Sequence, residues 1–373
     1  MSSLNLSPTE VISQKLTLPC GLVLQNRLVK CPMQETLAEA PFLDAPLQNF
    51  RNLYGQWANA NYGLTITGQV QIDISGDFVC HGDSLSFPHF EKWKQCAQVA
   101  QSGGTPCIFQ LAHPGRMSPT GVGNRLVDML AICPSSVPVK LSDKWLEKLA
   151  IKCLLGTPKA MTILEIDQAV EDWKHGARVA RAAGFKGIQL HGAHGFLLSQ
   201  FLSPHTNRRT DEYGGSPEGR MKLVKRLVVE IREANPAPFC MSVKLNSGDY
   251  MEEGSLTQDE ALDQVRWLTT CDMVDFVEIS SENAGSIKES TRIREAYYTE
   301  FAEHVVKIEG SKFSIQLSGG FRSRPGMADA ILSEAFDLIG LGRTAVLEPD
   351  IPKRLLLNTD MSDDEALARP HIV

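Results

Sequence analysis

Short apolar or β-branched runs recur along the chain, and most are followed by a stretch whose apolar residues return every three or four positions. The runs are NRLVKCPM from Asn26, LTITGQVQI from Leu64, PCIFQLAH from Pro106, KGIQLHG from Lys186, FCMSVKLN from Phe239, DFVEISS from Asp275, FSIQLSGG from Phe313 and FDLIGLGR from Phe336. Runs of this length bounded by Gly, Pro, Asn or Asp predict strands, and the 3.6-residue returns predict helices. The helices carry recognisable ends. Thr162 and Glu165 are spaced as a capping box ahead of a face made by Ile166, Ala169 or Val170, Trp173, Ala177 and Ala180, which Gly184 stops. Thr257 and Glu260 repeat the device, Pro325 can open the helix PGMADAILSEA, and Phe90, Trp93, Ala97 and Ala100 mark another face that ends at Gly103.

Strand then helix, eight times over, predicts an α/β fold, a (β/α)8 TIM barrel. A doubly wound sheet alternates similarly, but no G-x-G-x-x-G opens a helix after a strand here; GVGNRL at Gly121 follows no strand and reads as loop. Gln14 to Asn26, QKLTLPCGLVLQN, reads as an N-terminal hairpin plugging the barrel floor. Pro114 to Met161, containing SDKWLEKLAIKCLL, reads as an insertion after strand 3 whose apolar half-helix packs rather than meets a membrane. With no repeat, low-complexity tract or linker, residues 1–373 read as a single domain.

Composition narrows the partners. At 373 residues, 43% hydrophobic, the chain can bury a large core. Its net charge of −7, without a dense Lys/Arg block, argues against nucleic acid and towards a small molecule. No run of eighteen apolar residues and no leader-like start imply a cytoplasmic protein with no membrane span. Nine cysteines, at 20, 31, 80, 96, 107, 133, 153, 240 and 271, form no C-x-x-C pair; reduced, buried thiols and no metal are expected.

In such barrels the reactive groups come from the C-terminal ends of the strands. Those ends collect Pro32, Met33 and Gln34, then Gly68 and Gln69, Gln110 and His113, His191 and His194, Lys244 and Asn246, Ser318, Gly319 and Gly320, and finally Gly342 and Arg343. Donors and glycines dominate, with few carboxylates. The loops LSGGFRSRPG and GLGRT follow strands 7 and 8, where this fold holds phosphate on backbone N–H groups, and Arg343 can add a charge-assisted contact. A phosphorylated ligand or cofactor is the first inference.

The stretch HGAHGFLLSQFLSPHTNRRTDEYGGSPEGR, from His191 to Arg220, resembles the signature of the old yellow enzyme family of FMN-dependent NAD(P)H oxidoreductases. The likeness runs from NRLVKCPM through QLAHPGRM and VKLNSGDY to LIGLGR and covers nearly the whole chain; the insertion and KESTRIREAYYTEF look like the fungal and bacterial branch. The resemblance implies tightly bound, non-covalent FMN with its phosphate on Ser318, Gly319, Gly320, Gly342 and Arg343. Its ring would rest against Pro32, Met33 and Gln34, with Gly68 or Gln69 at the reactive edge and the Gln110 amide reading the pyrimidine end. Lys244 stands where the family often has arginine, keeping the charge beside the flavin but losing the planar fork.

The paired imidazoles of His191 and His194 are then expected to converge over the flavin and donate hydrogen bonds to a substrate carbonyl, so that a conjugated alkene accepts hydride. His113 reads as structural, as do Arg208, Asp211 and Tyr213. Phe196 is the departure: the family pattern usually places a proton-donating tyrosine there, and phenylalanine cannot donate. Tyr250, Tyr297 and Tyr298 are substitute candidates. NAD(P)H would bind transiently in the substrate's own pocket, giving ping-pong turnover.

Three functions remain open at this stage. The first is reduction of enones, quinones or nitro compounds. The second is a flavin-dependent isomerase or dehydrogenase of a biosynthetic pathway, because of Phe196. The third is a flavin-free barrel lyase or aldolase using Lys244. A homodimer or higher homo-oligomer is compatible with the family, and nothing in the sequence selects NADH over NADPH.

Overall fold

The computed structural model describes residues 6–35, 48–72, 88–121, 125–140, 144–248, 255–280 and 313–368. Eight parallel strands close into a barrel in chain order: β1 (Leu28–Lys30), β2 (Leu64–Gln71), β3 (Cys107–Ala112), β4 (Gly187–Gly192), β5 (Cys240–Asn246), β6 (Phe276–Ser280), β7 (Ser314–Ser318) and β8 (Leu338–Leu341). All eight predicted runs are present. β1 is shorter than its run, because Pro32 has no N–H to extend the ladder beyond the Cys31 bond to the Leu341 carbonyl.

The described helices are α1 (Pro8–Ile12), α2 (Gln48–Ala58), α3 (Pro88–Ala100), α4 (Trp145–Leu155), α5 (Ile163–Ala183), α6 (Leu197–Leu202), α7 (Pro217–Ala234), α8 (Gln258–Thr270), α9 (Arg324–Leu332) and α10 (Arg343–Leu347). The capping boxes of α5 and α8 form as predicted, and Gly184 ends α5 at φ 98°. Ser323 caps α9, whose first turn holds Pro325.

Alternation along the strands explains where the core sits. Ile188, Leu190, Val243, Leu245, Val277, Ile279, Ile315 and Leu317 face the helices and join the main apolar core. The intervening positions face the barrel interior. At the floor these are apolar: Leu18 and Leu24, from the hairpin Leu16–Thr17/Val23–Leu24, pack with Val29, Leu64, Ile108, Phe276 and Leu338. The hairpin therefore plugs the barrel from its N-terminal end, as read from sequence.

Higher up, the interior turns polar. Gln110 donates to Gln189 (2.8 Å), Gln189 donates to Ser242 (3.2 Å) and Glu278 (2.9 Å), and Glu278 pairs with Lys244 (2.9 Å). Every member is buried. Low dielectric strengthens such a chain but penalises any member left without its partner.

The insertion departs from expectation. Ile132–Cys133 and Lys159–Ala160 form a short parallel pair, while α4 stands away from the core: among its residues only Leu155 is fully buried. The packing read for this half-helix is not what the structure has.

Candidate active site

A cavity of about 230 Å³ opens at the C-terminal end of the barrel. Pro32 and Met33, His194, Lys244, Ser318, Gly319, Gly320, Gly342 and Arg343 all line it, so nine sequence-predicted residues meet in one place. Gly319 (φ 118°) and Gly320 (φ 79°) lie in the left-handed region that side chains avoid, so the loop after β7 has its backbone turned in a way only glycine adopts cheaply. A Cβ on Gly340 would overlap Ser318 Oγ and Cys31 Sγ, whereas Gly342 has open space beside it.

Gly68, Gln69, Gln110, His191, Phe196 and Gln34 lie beside this cavity rather than in its lining. Gly68 sits in a bulge where the β2–β3 register shifts between Ile66 and Gln69. Its N–H donates to Tyr54 OH (2.8 Å), which donates to Glu35 (2.7 Å), which is paired with buried Lys30 (3.1 Å). A Cβ on Gly68 would overlap both Glu35 and the Met33 carbonyl, so the loop after β1 and the bulge of β2 approach as closely as glycine permits. Gln110 is buried with its amide turned to Gln189, and Gln34 is exposed at the rim.

The sequence HGAHGF reverses the chain at the end of β4. His194 (φ 57°) and Gly195 (φ 77°) are successive left-handed residues, and Phe196 N–H closes the turn on the Ala193 carbonyl (3.2 Å). A histidine in that region costs on the order of 1 kcal/mol or more, and the Asn246 side chain holds it by accepting from His194 N–H (3.1 Å). The turn brings the two imidazole centroids to 5.2 Å, nearly perpendicular. His194 Nε2 is 2.7 Å from Ser280 Oγ, and His191 Nε2 is 3.5 Å from the Gln69 amide nitrogen. Phe196 lies against His191, the ring centroids 4.6 Å apart and the planes tilted by 32°. Within the described residues, buried His191 Nδ1 has no hydrogen-bond partner.

Burial, with the neighbouring imidazole and Lys244 adding to it, holds His191 well below the usual histidine range; burial and then Lys244 bring His194 down to about 3. Both rings are therefore neutral at pH 7, with one donor nitrogen each. The unfolded chain protonates these histidines near pH 6.5 while the folded chain resists, so protons favour unfolding. Stability is thus fully present above about pH 6.5 and is lost as pH falls towards 3. Thermal melts across that window should show the decline, and His194→Asn should flatten it; an unchanged pH slope in that variant would count against the assignment.

Several residues were missed in the sequence. Glu278, paired with Lys244 (2.9 Å), is a carboxylate that the strand ends alone did not bring into the list. Inward-facing alternation in FVEIS, in register with VKLN, is the signal that finds it. Arg322 and Ser280 also line the cavity, whereas Arg324 is buried in bonds to Leu355, Leu356, Asn358 and Met361 carbonyls. Cys31 lines it too, a thiol that burial pushes up to about 12 and that donates to Ser318 Oγ (3.1 Å).

The structural readings of His113 and the strand-4 loop agree with the geometry. His113 Nδ1 accepts from Gly115 N–H (2.9 Å), and the Tyr213 hydroxyl accepts from Arg226 (3.1 Å). Arg209, rather than Arg208, makes the ion pair with Asp211 (2.5 Å). Tyr250, Tyr297, Tyr298 and Cys80 lie outside the described residues. Cys20, Cys240 and Asp275, scattered in sequence, gather under the barrel floor, where the Asp275 carboxylate accepts from Arg232 (2.6 Å) and Met241 N–H (2.7 Å).

A parallel eight-stranded barrel with glycine loops after β7 and β8, and neutral imidazoles at the end of β4, has the form of barrels that hold a phosphorylated cofactor at their mouth. The comparison with known sequences is direct. The chain belongs to the NADH:flavin oxidoreductase / NADH oxidase family, whose sequence profile matches residues 20–360, and FMN is the cofactor of that family. It is 34% identical to the NADH-dependent flavin oxidoreductase iliE of Hypocrea jecorina (strain QM6a), over 95% of this chain and 91% of that one. It is 35% identical to the protein of the same name from Neonectria sp. (strain DH2), covering 92% of this chain but only 46% of that longer protein. Among solved structures, morphinone reductase in complex with tetrahydroNAD superposes with a TM-score of 0.72 at 22% identity, over 92% of this chain and 89% of that one, which shows the shared fold.

The cavity fits FMN in kind. Gly342 leaves backbone approachable, Arg322 and Arg343 offer cations for a phosphate, and Lys244 stands in the same lining.

Proposed function

We propose that this protein reduces activated C=C bonds, as in enones, with NADH as the reductant, by ping-pong turnover in one pocket. The observation that carries the reading is the pair of neutral imidazoles 5.2 Å apart at the rim, one of them facing the same cavity as the glycine loops. FMN, when bound, supplies the two-electron chemistry that links the nicotinamide to the alkene.

The residues of the chain divide the remaining work. Gly319, Gly320 and Gly342 would hold the phosphate on backbone N–H groups, with Arg343 and Arg322 as counter-charges. Pro32, Met33 and the Gly68 bulge form a close-packed wall for the ring. Gln34, Gln69 and Gln110 offer amides that can donate and accept. Lys244 would place a cation beside the bound ring, an attraction of about 4 kcal/mol for unit charges 4 Å apart at an effective dielectric near 20. Glu278 offsets much of that field. His191 and His194 donate hydrogen bonds to the substrate carbonyl oxygen and so make the β-carbon electrophilic.

Phe196 occupies the slot of the missing proton donor, and a positioned general acid is typically worth about 10² to 10⁴ in rate. That absence favours a second reading, a flavin-dependent isomerase or dehydrogenase in a biosynthetic pathway. A lyase using Lys244 is disfavoured by the ion pair with Glu278, since a Schiff base needs a neutral amine.

Anaerobic mixing separates these readings. NADH should bleach the yellow protein, and an enone should restore its colour; colourless protein that takes up no added FMN would sink the proposal. Phe196→Tyr should raise the rate of the enone step about 10-fold, recovering part of the general-acid effect. No gain, with bleaching by NADH intact, would favour the isomerase or dehydrogenase reading.

A further inference from the structure

Residues 319–323 join β7 to α9 and line the cavity through Gly319, Gly320, Phe321 and Arg322. Two successive glycines at positive φ have many other conformations open to them, so a fixed arrangement of their N–H groups has to be imposed from outside the loop. One end is set by β7 and the other by Ser323, whose hydroxyl accepts from Gly326 N–H (3.2 Å) to cap α9. In between, the backbone is held by a part of the chain that stands outside the cavity lining. Ala368 N–H donates to the Arg322 carbonyl (2.7 Å), and Leu367 pairs antiparallel with Ser323. Ala366 and Ala368 are fully buried there.

From Leu357 to Ala368 the chain runs through turns, with no helix or strand of its own to fix it. Arg324, at the first position of α9, does so instead. Its buried guanidinium donates to the carbonyls of Leu355, Leu356 (3.2 Å), Asn358 and Met361 (2.7 Å) and pairs with Asp363 (3.3 Å). A planar fork of five N–H donors can gather that many acceptors, which a lysine cannot. The two arginines of FRSRPG thus have separate duties. Arg322 lines the cavity, while Arg324 fastens residues 355–363 to α9 and so brings Ala368 to the backbone of Arg322.

We propose that residues 355–368, fastened by Arg324, brace the loop after β7 in the shape that takes a phosphate, and so set the preference for a phosphorylated flavin over riboflavin. Resting on the assignment of that loop as the phosphate cradle, this makes Arg324 and Ala368 positioning residues, which act through the backbone of Arg322 and Ser323 and touch no ligand themselves. A preformed anion site binds more tightly than one the ligand must order, because the ordering entropy is met during folding. Without the brace FMN has to organise the loop as it binds. Riboflavin, with no phosphate, gains nothing from the loop in either state.

The test is titration of the full chain, freed of FMN, with FMN and with riboflavin, each followed by quenching of flavin fluorescence. The parent should bind FMN about 100-fold more tightly, since hydrogen bonds to an anion are the stronger kind. Ala368→Pro removes the N–H that reaches Arg322 and should weaken FMN about 10-fold, the size of one buried acceptor left unmet, with riboflavin affinity unchanged. Arg324→Met should act in the same direction and further. Asp363→Asn, at a part-exposed carboxylate whose change the fold tolerates, should weaken FMN about threefold and riboflavin not at all. Equal losses for both flavins would make residues 355–368 a structural support only and overturn the proposal, as would unchanged FMN affinity in Ala368→Pro and Asp363→Asn. Arg322→Gln with Arg343→Gln tests the cradle itself. If that double variant keeps the parent's ratio of affinities, the phosphate reading fails; if it alone lowers the ratio, the cradle stands and the brace falls.

Discussion

Replacing His191 and His194 together with alanine is expected to lower kcat/KM for a conjugated enone by about 10³-fold or more, while the purified protein keeps its FMN absorbance. Each ring is buried and neutral, so its N–H is a fixed donor in a low-dielectric wall; one such donor is typically worth about 10² to 10³. The two act on one oxygen, so their effects are not additive, and the single variants should each lose about 10². The proposed phosphate cradle is formed by the loops after β7 and β8, and the imidazoles stand at the end of β4. Cofactor content should for that reason be indifferent to the change. A double variant within 10-fold of the parent would remove the imidazoles from the proposed chemistry.

The largest effect on stability is expected from Glu278→Ala, at about 3–5 kcal/mol, because it leaves the Lys244 ammonium buried with no counter-charge. Its side chain is 5% exposed and that of Glu278 fully buried, so solvent does little to screen the pair. Glu278 also accepts from Gln189 (2.9 Å), which loses that acceptor as well. Replacing both partners, Lys244→Met with Glu278→Leu, should recover most of the loss, since an apolar pair of similar volume avoids the uncompensated charge. Urea unfolding of the FMN-free proteins measures both. A loss below about 1 kcal/mol in Glu278→Ala would mean that water or another acid reaches Lys244.

The strands and the glycine-turned loop after β7 were legible because their signals are local. Each strand announces itself by a run of β-branched residues between turn formers, and the helices by returns such as Ile166, Ala169, Trp173 and Ala177, all of which are buried. Gly319 and Gly320 were legible for a similar reason: paired glycines after a strand imply backbone that other residues avoid. Glu278 was not, because strand ends were read and the inward face was not followed down the barrel. Its role depends on register with Lys244, and register is a property of two strands. The exposure of α4 was equally hidden. Periodicity tells that a helix has an apolar arc but not whether anything packs on it, and here little does. Gln34 and Gln110 keep the positions expected of them along the chain, but their side chains turn to the rim and to Gln189, which spacing alone does not reveal.

The polar chain that runs from Gln110 through Gln189 and Glu278 to Lys244 crosses four strands drawn from a stretch that reaches from residue 110 to residue 278. Each position is answerable to its neighbour, so drift at one of them strands a donor or a charge at another. The four sites are therefore coupled: arginine at 244 would keep the charge that Glu278 answers, whereas a neutral residue there leaves that carboxylate buried without a counter-charge. Removal of charge at position 244 should therefore be tolerated only together with loss of the carboxylate at 278, which makes the barrel's interior, unlike its rim, a place where single changes are costly.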